Sequence, residues 1–335
     1  EATDQETPSG TTCFIRADDA NETDWYQELR TDQPSSQQTG VEHVEQTDLR
    51  PEDHWFRQVD PLTIDTTNLT QLSEIATVTR GILTGDNAFF CVSHHEVEKY
   101  GIDDQYLVPL IRTVSEIDGY EFRNHDWDYQ RRTGKAAWLL YPDDLDDVPR
   151  ELVEAQETQE SWGVTNRLEA GSIHPPRGLY AYLQANISDI TSQTIKDNPP
   201  WYRVERRPPA EILIQNMSRD GFDAVINHTN AVNLNNGNSI TLDATVTQTE
   251  VKALAAFLNS SVGDEILRHY AEIRTDGAYR LTPGALADVE VINPRRLSPS
   301  VASELAELFD KLAGNAVEDE DAVARIDAVL DEHVL

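Results

Sequence analysis

The stretch TQTEVKALAAFLNSSVGDEILRHYA, residues 247–271, constrains the fold of this chain more than any other. Val251, Leu254, Ala255 and Leu258 recur at helical spacing before Gly263 interrupts the run, which predicts the best-formed helix of the molecule. Around it lie short apolar strand-like runs and isolated helical stretches. They do not alternate with the regular spacing of strand–helix–strand units. The pattern predicts an α+β fold: a mixed β-sheet with flanking helices and a C-terminal helical pair.

TTCFIRAD (11–18) reads as one strand closed by an acidic turn. Residues 19–60 are polar and rich in Gln, Thr and Asp, with TDQPSSQQTG (31–40) as a loop, and read as a connector. NLTQLSEIATVTRG (68–81) sets Leu69, Leu72, Ile75 and Ala76 at helical spacing behind a capping Asn68 or Thr70. Gly81 and Gly85 then bracket a turn into a strand through AFFCVS, and HHEVEKYG is a short helix stopped by Gly101. Pro109 within YLVPLIRT argues against a central strand. Further strands are expected in KAAWLLYP (135–142), WYRVE (201–205), EILIQN (211–216), DAVINHTN and AVNLNNGNSITLDA, with NNGN as the turn. Helices are expected over 148–163 and within PRGLYAYLQANIS, and YRLTPGALADVEVINP supplies a final turn and short strand. After Pro294 two amphipathic helices follow, the first with Pro299 in its opening turn and Gly314 as its stop.

Charge narrows the function classes. The 335 residues carry 60 acidic and 27 basic side chains, a net charge of -33. Lys supplies only five of the basic residues, at 99, 135, 196, 252 and 311, and Arg the rest. The acids are spread along the whole chain. That pattern suits a halophilic cytoplasmic protein kept soluble in molar salt. At about 1 M salt the Debye length is roughly 3 Å, so the net charge does not exclude a nucleic-acid partner, but any basic footprint must be local and built on Arg. No stretch of eighteen apolar residues exists to span a membrane. Cys13 and Cys91 are unpatterned and define neither a zinc site nor a disulfide framework; Cys91, in its apolar run, is expected to be a buried core thiol. No metal site is expected. The chain opens at Glu1, as a piece of a longer protein would.

The motif DNPPW (197–201) invites an enzymatic reading, because Asn-Pro-Pro-aromatic is the loop that grips the exocyclic amine of a flipped adenine. Such a loop has to end a buried apolar strand. Here the approach is ISDITSQTIK, polar and rich in Ser and Thr, so the stretch reads better as a Pro-rich loop that launches the next strand. No glycine-rich cofactor turn, phosphate loop or nucleophile elbow occurs. No catalytic residue is therefore assigned in this chain.

Several segments together resemble the C-terminal half of gamma-class adenine-N6 DNA methyltransferases, the Eco57I/TaqI-like restriction-modification family. LSEIATVTRGILTGDNAFFCVS (72–93) is similar to a G-x-x-T-G-x-N-x-F-F pattern after a short helix. YGIDDQYLVPLIR (100–112), WYRVERRPPAEILIQNM (201–217), VKALAAFLNSSVGDEILRHYAEIR (251–274) and ARIDAVLDEHVL (324–335) resemble further family segments in the same order. SGTTCFIRADD (9–19) resembles the last strand of the family's catalytic domain. The resemblance implies three parts. Residues 1–60 are the end of a catalytic domain with its connector, 61–295 a target-recognition domain, and 296–335 the helical pair. It further implies double-stranded DNA as partner, no cofactor in this chain, and S-adenosylmethionine bound by an N-terminal catalytic domain supplied in cis or as a subunit. Two alternatives stay open: an interaction or regulatory module without nucleic-acid affinity, and a degenerate methyltransferase using the loop from Asn198 to Trp201.

If DNA is the partner, phosphate contacts should position and base-edge contacts specify. Candidates are Arg80 with Thr84 and Asn87 in the TGDN loop; Arg131, Arg132 and Lys135 in YQRRTGK, the densest basic cluster; and Arg177 in IHPPRG. WYRVERR adds Trp201 and Arg203 on one strand face, with Arg206 and Arg207 projecting from the loop beyond. Asn235 and Asn236 could offer amides to adenine. The competing readings are a solvated hairpin for YQRRTGK, core packing for the Trp201–Tyr202 pair, and a plain turn for the asparagines.

Overall fold

The computed structural model describes the backbone of residues 11–15 and 41–45, and residues 62, 64–142, 177–186, 204–275, 277–314 and 319–335. The chain divides into two compact units, Glu1–Asp65 and Thr66–Leu335. In the first, β1 (Thr11–Ile15) pairs antiparallel with β2 (Val41–Glu45), Cys13 opposite His43.

The second unit runs, in chain order, through β3 (Thr70–Gln71), β4 (Ala76–Arg80), α1 (Asn87–Phe90), β5 (Cys91–Ser93), α2 (His94–Tyr100), β6 (Leu107–Ile111), β7 (Glu121–Phe122), α3 (Asn124–Arg132) and β8 (Ala136–Leu140). It continues through α4 (Arg177–Asn186), β9 (Ile212–Gln215), β10 (Met217–Ser218), β11 (Ala224–Asn227), β12 (Val232–Asn233), β13 (Gly237–Leu242), α5 (Gln248–Leu258) and α6 (Ser261–Tyr270). It ends with β14 (Glu272–Ile273), β15 (Tyr279–Arg280), α7 (Pro283–Asp288), β16 (Glu290–Val291), α8 (Pro299–Ala313) and α9 (Asp319–His333). The class is α+β, with mixed sheets as the sequence predicts.

A five-stranded sheet in the order β4-β13-β9-β11-β7 is antiparallel except for the parallel β11–β7 pair. Its inner strands β9 and β11 are buried at every residue. Helix α5 packs on β11 and is itself packed by α8, with α9 behind. The expected stripe of Val251, Leu254, Ala255 and Leu258 is buried, and Ala253, Ala256 and Phe257 are buried with it, so the helix is enclosed on all sides from Ala253 to Leu258. Thr247 and Glu250 form its capping box, with Glu250 Oε2 accepting from the Thr247 amide at 2.6 Å. Asn259 ties its C-terminal end to the sheet: it accepts from the Ala224 amide at 2.9 Å and donates to the Ala224 carbonyl at 2.8 Å.

A four-stranded sheet in the order β12-β6-β8-β5 carries a second core of Phe89, Phe90, Val92, Leu110, Leu139, Leu140, Leu179 and Tyr182, among others. Tyr182 is 1% exposed and donates its hydroxyl to the Phe89 carbonyl at 2.6 Å. Ser93 and Gly101 bound α2 as N-cap and left-handed C-cap, the latter at φ 67°.

Five expectations need correction. The helical spacing over Leu69–Ala76 becomes a single 3-10 turn at Leu72–Glu74 followed by β4; Ala76–Arg80 runs ATVTR, and its β-branched residues find a ladder partner in β13. A four-residue helix, α1, intervenes before the AFFCVS strand because Asp86 caps the amides of Ala88 and Phe89. Pro109 lies in β6, which is flanked on both sides. β12, however, reaches only Leu110 and Ile111, so Pro109 has a ladder partner on one side alone, as an edge residue would. Val204 and Glu205, the described end of the strand expected over WYRVE, have no regular structure. Thr282 and Pro283 start a helix, α7, inside the expected final turn. The helix expected over 148–163 lies outside the described residues.

Candidate nucleic-acid interface

The two sheets meet at one seam, where β4 ends and the β12–β13 turn begins. The Gly81 amide donates to the Gly237 carbonyl (3.0 Å), the Ile82 amide to the Asn233 carbonyl (2.8 Å) and the Asn235 amide to the Ile82 carbonyl (3.0 Å). Asparagine side chains staple the seam. Asn233 accepts from the Ser239 hydroxyl at 2.8 Å, Asn238 donates to the Leu281 carbonyl at 2.8 Å, and Asn216 donates to the Asn235 carbonyl at 3.0 Å. Asn is well suited here because one carboxamide both donates and accepts, so a few residues can satisfy a crowded turn.

Arg80 closes β4 opposite Asn238, and cross-strand partners share a face. The Arg80 guanidinium makes no hydrogen bond or ion pair among the described residues. Arg207 folds back instead of projecting: it donates to the Arg80 carbonyl at 2.7 Å and to Glu205 at 2.8 Å. Tyr141 anchors that loop. Its hydroxyl donates to the Glu205 carbonyl and accepts from the Arg207 amide, and Arg206 stacks over its ring at 5.5 Å.

Seven buried side-chain N or O atoms among the described residues have no hydrogen-bond partner, and four lie at this seam: Arg80 Nε, Arg207 Nε, Asn236 Oδ1 and Asn238 Oδ1. Buried polar groups are ordinarily paired, and each unpaired one costs about 1–3 kcal/mol. Four of them fall together where β4 meets the β12–β13 turn.

The other predicted residues divide clearly. Thr84 is 6% exposed, donates to Asn87 Oδ1 at 2.6 Å and accepts from the Asp86 amide, so the TGDN loop spends its hydroxyl on building the start of α1. Arg131 and Arg132 form the last turn of α3 and not a hairpin, where positive charge complements the helix dipole. Arg131 pairs with Asp128 at 3.1 Å and stacks over Trp127, Arg132 donates to the Asp128 carbonyl, and Lys135 pairs with Glu116 at 3.2 Å. The densest basic cluster of the sequence is thus largely neutralised internally. Asn236 donates to the Arg112 carbonyl at 2.8 Å, while the half-buried Asn235 carboxamide makes no side-chain hydrogen bond among the described residues. Trp201 and Arg203 lie outside the described residues, as does the side chain of Arg177, the first residue of α4.

One group was not singled out from the sequence. β10 continues β9 through Asn216 and pairs with β15, which pairs with β14, giving a three-stranded ribbon that abuts the seam. The Asn216 amide donates to the Asn236 carbonyl, and the Leu281 amide donates to the Asn216 carbonyl. The ribbon carries Arg219, Arg274 and Arg280, with Arg268 at its root. The hairpin signal was legible in EIRTDGAYR, where Gly277 has φ 79°.

Comparison with known proteins agrees with the resemblance. Residues 61–170 match the family model described as the C-terminal domain of the type II methyltransferase M.Eco57I. The type II methyltransferase M.AccI of Acinetobacter calcoaceticus is 22% identical over 267 residues, covering 78% of this chain. The chain spans 44% of that relative's length. A solved structure, the type IIG restriction endonuclease BpuSI, overlays on 89% of this chain and 36% of its own at a TM-score of 0.44 and 13% identity. The matched family model and the curated relative are thus both similar to this chain in the way the sequence segments suggest, the first over residues 61–170 and the second over most of its length.

Proposed function

We propose that this chain is the sequence-specificity part of an adenine-N6 DNA methyltransferase or restriction-modification enzyme, and that its partner is double-stranded DNA. On this reading S-adenosylmethionine and the transfer chemistry belong to a catalytic domain upstream of Glu1 or on a separate subunit. The observation that carries the reading is the seam, where two guanidinium groups and two carboxamides leave buried polar atoms unpaired. In a chain with 60 acids to 27 bases, an unneutralised Arg80 is best explained by an external acceptor such as a phosphate oxygen or a base edge. Each alternative predicts a different assay result. A regulatory module would bind no DNA. A degenerate methyltransferase would bind S-adenosylmethionine by itself.

The reading also bears on salt. Counterion release drives little binding when salt is already molar, so base hydrogen bonds and Arg contacts should carry more of the affinity. The test is fluorescence anisotropy of the chain against mixed-sequence duplex DNA at high salt. Arg80→Gln should weaken binding by about 1–3 kcal/mol, whereas Arg131→Ala with Arg132→Ala should act less because those residues are engaged with Asp128. Wild-type chain that leaves the anisotropy unchanged at every salt concentration would overturn the proposal.

A further inference from the structure

Among the described residues the three-stranded ribbon carries exposed side chains on each face, Met217 and Glu272 on one and Ile273 on the other, with Ser218, Tyr279 and Arg280 half-buried. Its register places Met217, Arg280 and Glu272 side by side on one face and Ser218, Tyr279 and Ile273 on the other. Met217 is 46% exposed and Ile273 55% exposed. Two of the four exposed large hydrophobics among the described residues therefore sit on this one small sheet, one on each face. Two-residue strands with exposed side chains on each face have little to hold them together, and a core would normally take up an Ile and a Met.

The root, in contrast, is fixed. Arg268 donates to Asp264 at 2.6 Å and to the Asp220 carbonyl at 2.7 Å, and its guanidinium lies 5.2 Å from the Tyr279 ring centre. Beyond that root the backbone closes through the Arg274 amide to the Ala278 carbonyl and the Gly277 amide to the Arg274 carbonyl. Arg274 itself is exposed and makes no side-chain hydrogen bond or ion pair among the described residues. A fixed root, a partly exposed ribbon and an exposed Arg beside its turn suit contact with an outside partner.

We infer that the Glu272–Arg280 hairpin is the element that enters the DNA major groove, with Arg274 reading a base edge and Ile273 offering an apolar contact. The inference rests on the proposed DNA-recognition function. Three observations choose DNA over a protein surface as the occupant. The major groove admits a two-stranded β-ribbon. The ribbon joins the Arg80–Asn236 seam through Asn216, so both lie on one continuous surface. Finally, Arg274 and Arg280 balance Glu272 and Asp276 within the hairpin, in a chain that otherwise carries more than two acids per base.

The test is selection of bound sequences from a random-sequence duplex pool by the 335-residue chain, followed by binding titrations on the selected duplex. Arg274→Ala should weaken binding to that duplex about 5- to 150-fold and leave one position of the reselected consensus unspecified. Arg274→Lys should keep the charge but still lose that position, because the bidentate fork is gone. Affinity and consensus unchanged in both variants, with Arg80→Gln still impaired, would overturn this inference and leave the DNA-binding reading intact. Equal loss on every sequence with a shallower salt slope would make Arg274 a phosphate contact and also overturn it. A wild-type chain that retains no DNA from the pool would remove both.

Discussion

Gly81→Ala tests the seam directly. Gly81 does not need a left-handed backbone; it needs room. A Cβ there would press into the carbonyl oxygen of Leu234, lie 2.6 Å from the Leu234 carbonyl carbon and 2.5 Å from Asn233 Nδ2. The first two are backbone atoms of the β12–β13 turn and cannot rotate away. The end of β4 has to withdraw from the turn, which strains or breaks the bonds of Gly81, Ile82 and Asn235 at 3.0, 2.8 and 3.0 Å. At about 1 kcal/mol for each hydrogen bond, and with overpacking of about 1–3 kcal/mol as an independent guide, the expected loss is about 3 kcal/mol. For a unit of this size that corresponds to a fall in Tm of roughly 6–12 °C. The matched control is Gly284→Ala. Nothing lies within 4 Å of a Cβ there, and the residue sits inside α7. That change should be neutral or stabilising by up to about 1 kcal/mol. Urea unfolding at constant salt, followed by circular dichroism, compares the two. If Gly81→Ala comes within about 0.5 kcal/mol of wild type, a typical surface substitution, the close approach of β4 to the turn is not what holds the two sheets together.

Other substitutions probe the cores and the charges. Tyr182→Phe deletes the 2.6 Å bond to the Phe89 carbonyl and should lower stability by about 1–3 kcal/mol in urea titration, since it leaves a buried acceptor unpaired. Burial pushes the Cys91 thiol up to about 12, with Arg112 pulling it down less strongly. In a Cys13→Ser background, disulfide exchange at pH 8 should therefore run on the order of 1000-fold slower in native than in urea-unfolded protein, because only the thiolate attacks. Burial raises the Glu121 carboxyl, but hydrogen bonds from Arg123 at 2.6 Å and His228 at 2.7 Å outweigh it and hold it below its usual 4.5. Its contribution is present above about pH 4.5 and disappears as pH falls through the lowered value. Glu121→Gln should thus destabilise at neutral pH and converge on wild type in acid-titration unfolding; a constant difference across that window would refute the assignment.

What could be read from residue order alone was whatever depends on nearest neighbours along the chain. The periodicity of Val251, Leu254, Ala255 and Leu258, the Ser93 and Gly101 caps, the Pro299–Gly314 bounds of α8 and the NNGN turn all follow from local backbone preference. The ordered family segments pointed to the same family that the comparisons match, for the same reason: they are strings of adjacent residues. Pairing across the chain was not legible. Leu69–Ala76 has helical spacing, yet β13, some 160 positions later, takes Ala76–Arg80 into a ladder, because an edge strand satisfies more backbone groups than an isolated turn. Basic density drew attention to YQRRTGK, but Asp128 and Glu116 already neutralise Arg131 and Lys135. Arg80 stands alone in sequence and gains its significance only from Asn238 and the Asn233–Gly237 turn brought beside it. Likewise Met217 and Ile273 look like ordinary strand residues until the fold leaves both of them exposed. Local order decided the caps, the turns and the strongly periodic helices; which ambiguous segments join a sheet, and which polar or apolar side chains find a partner, was decided by tertiary packing, since only packing determines what each can reach.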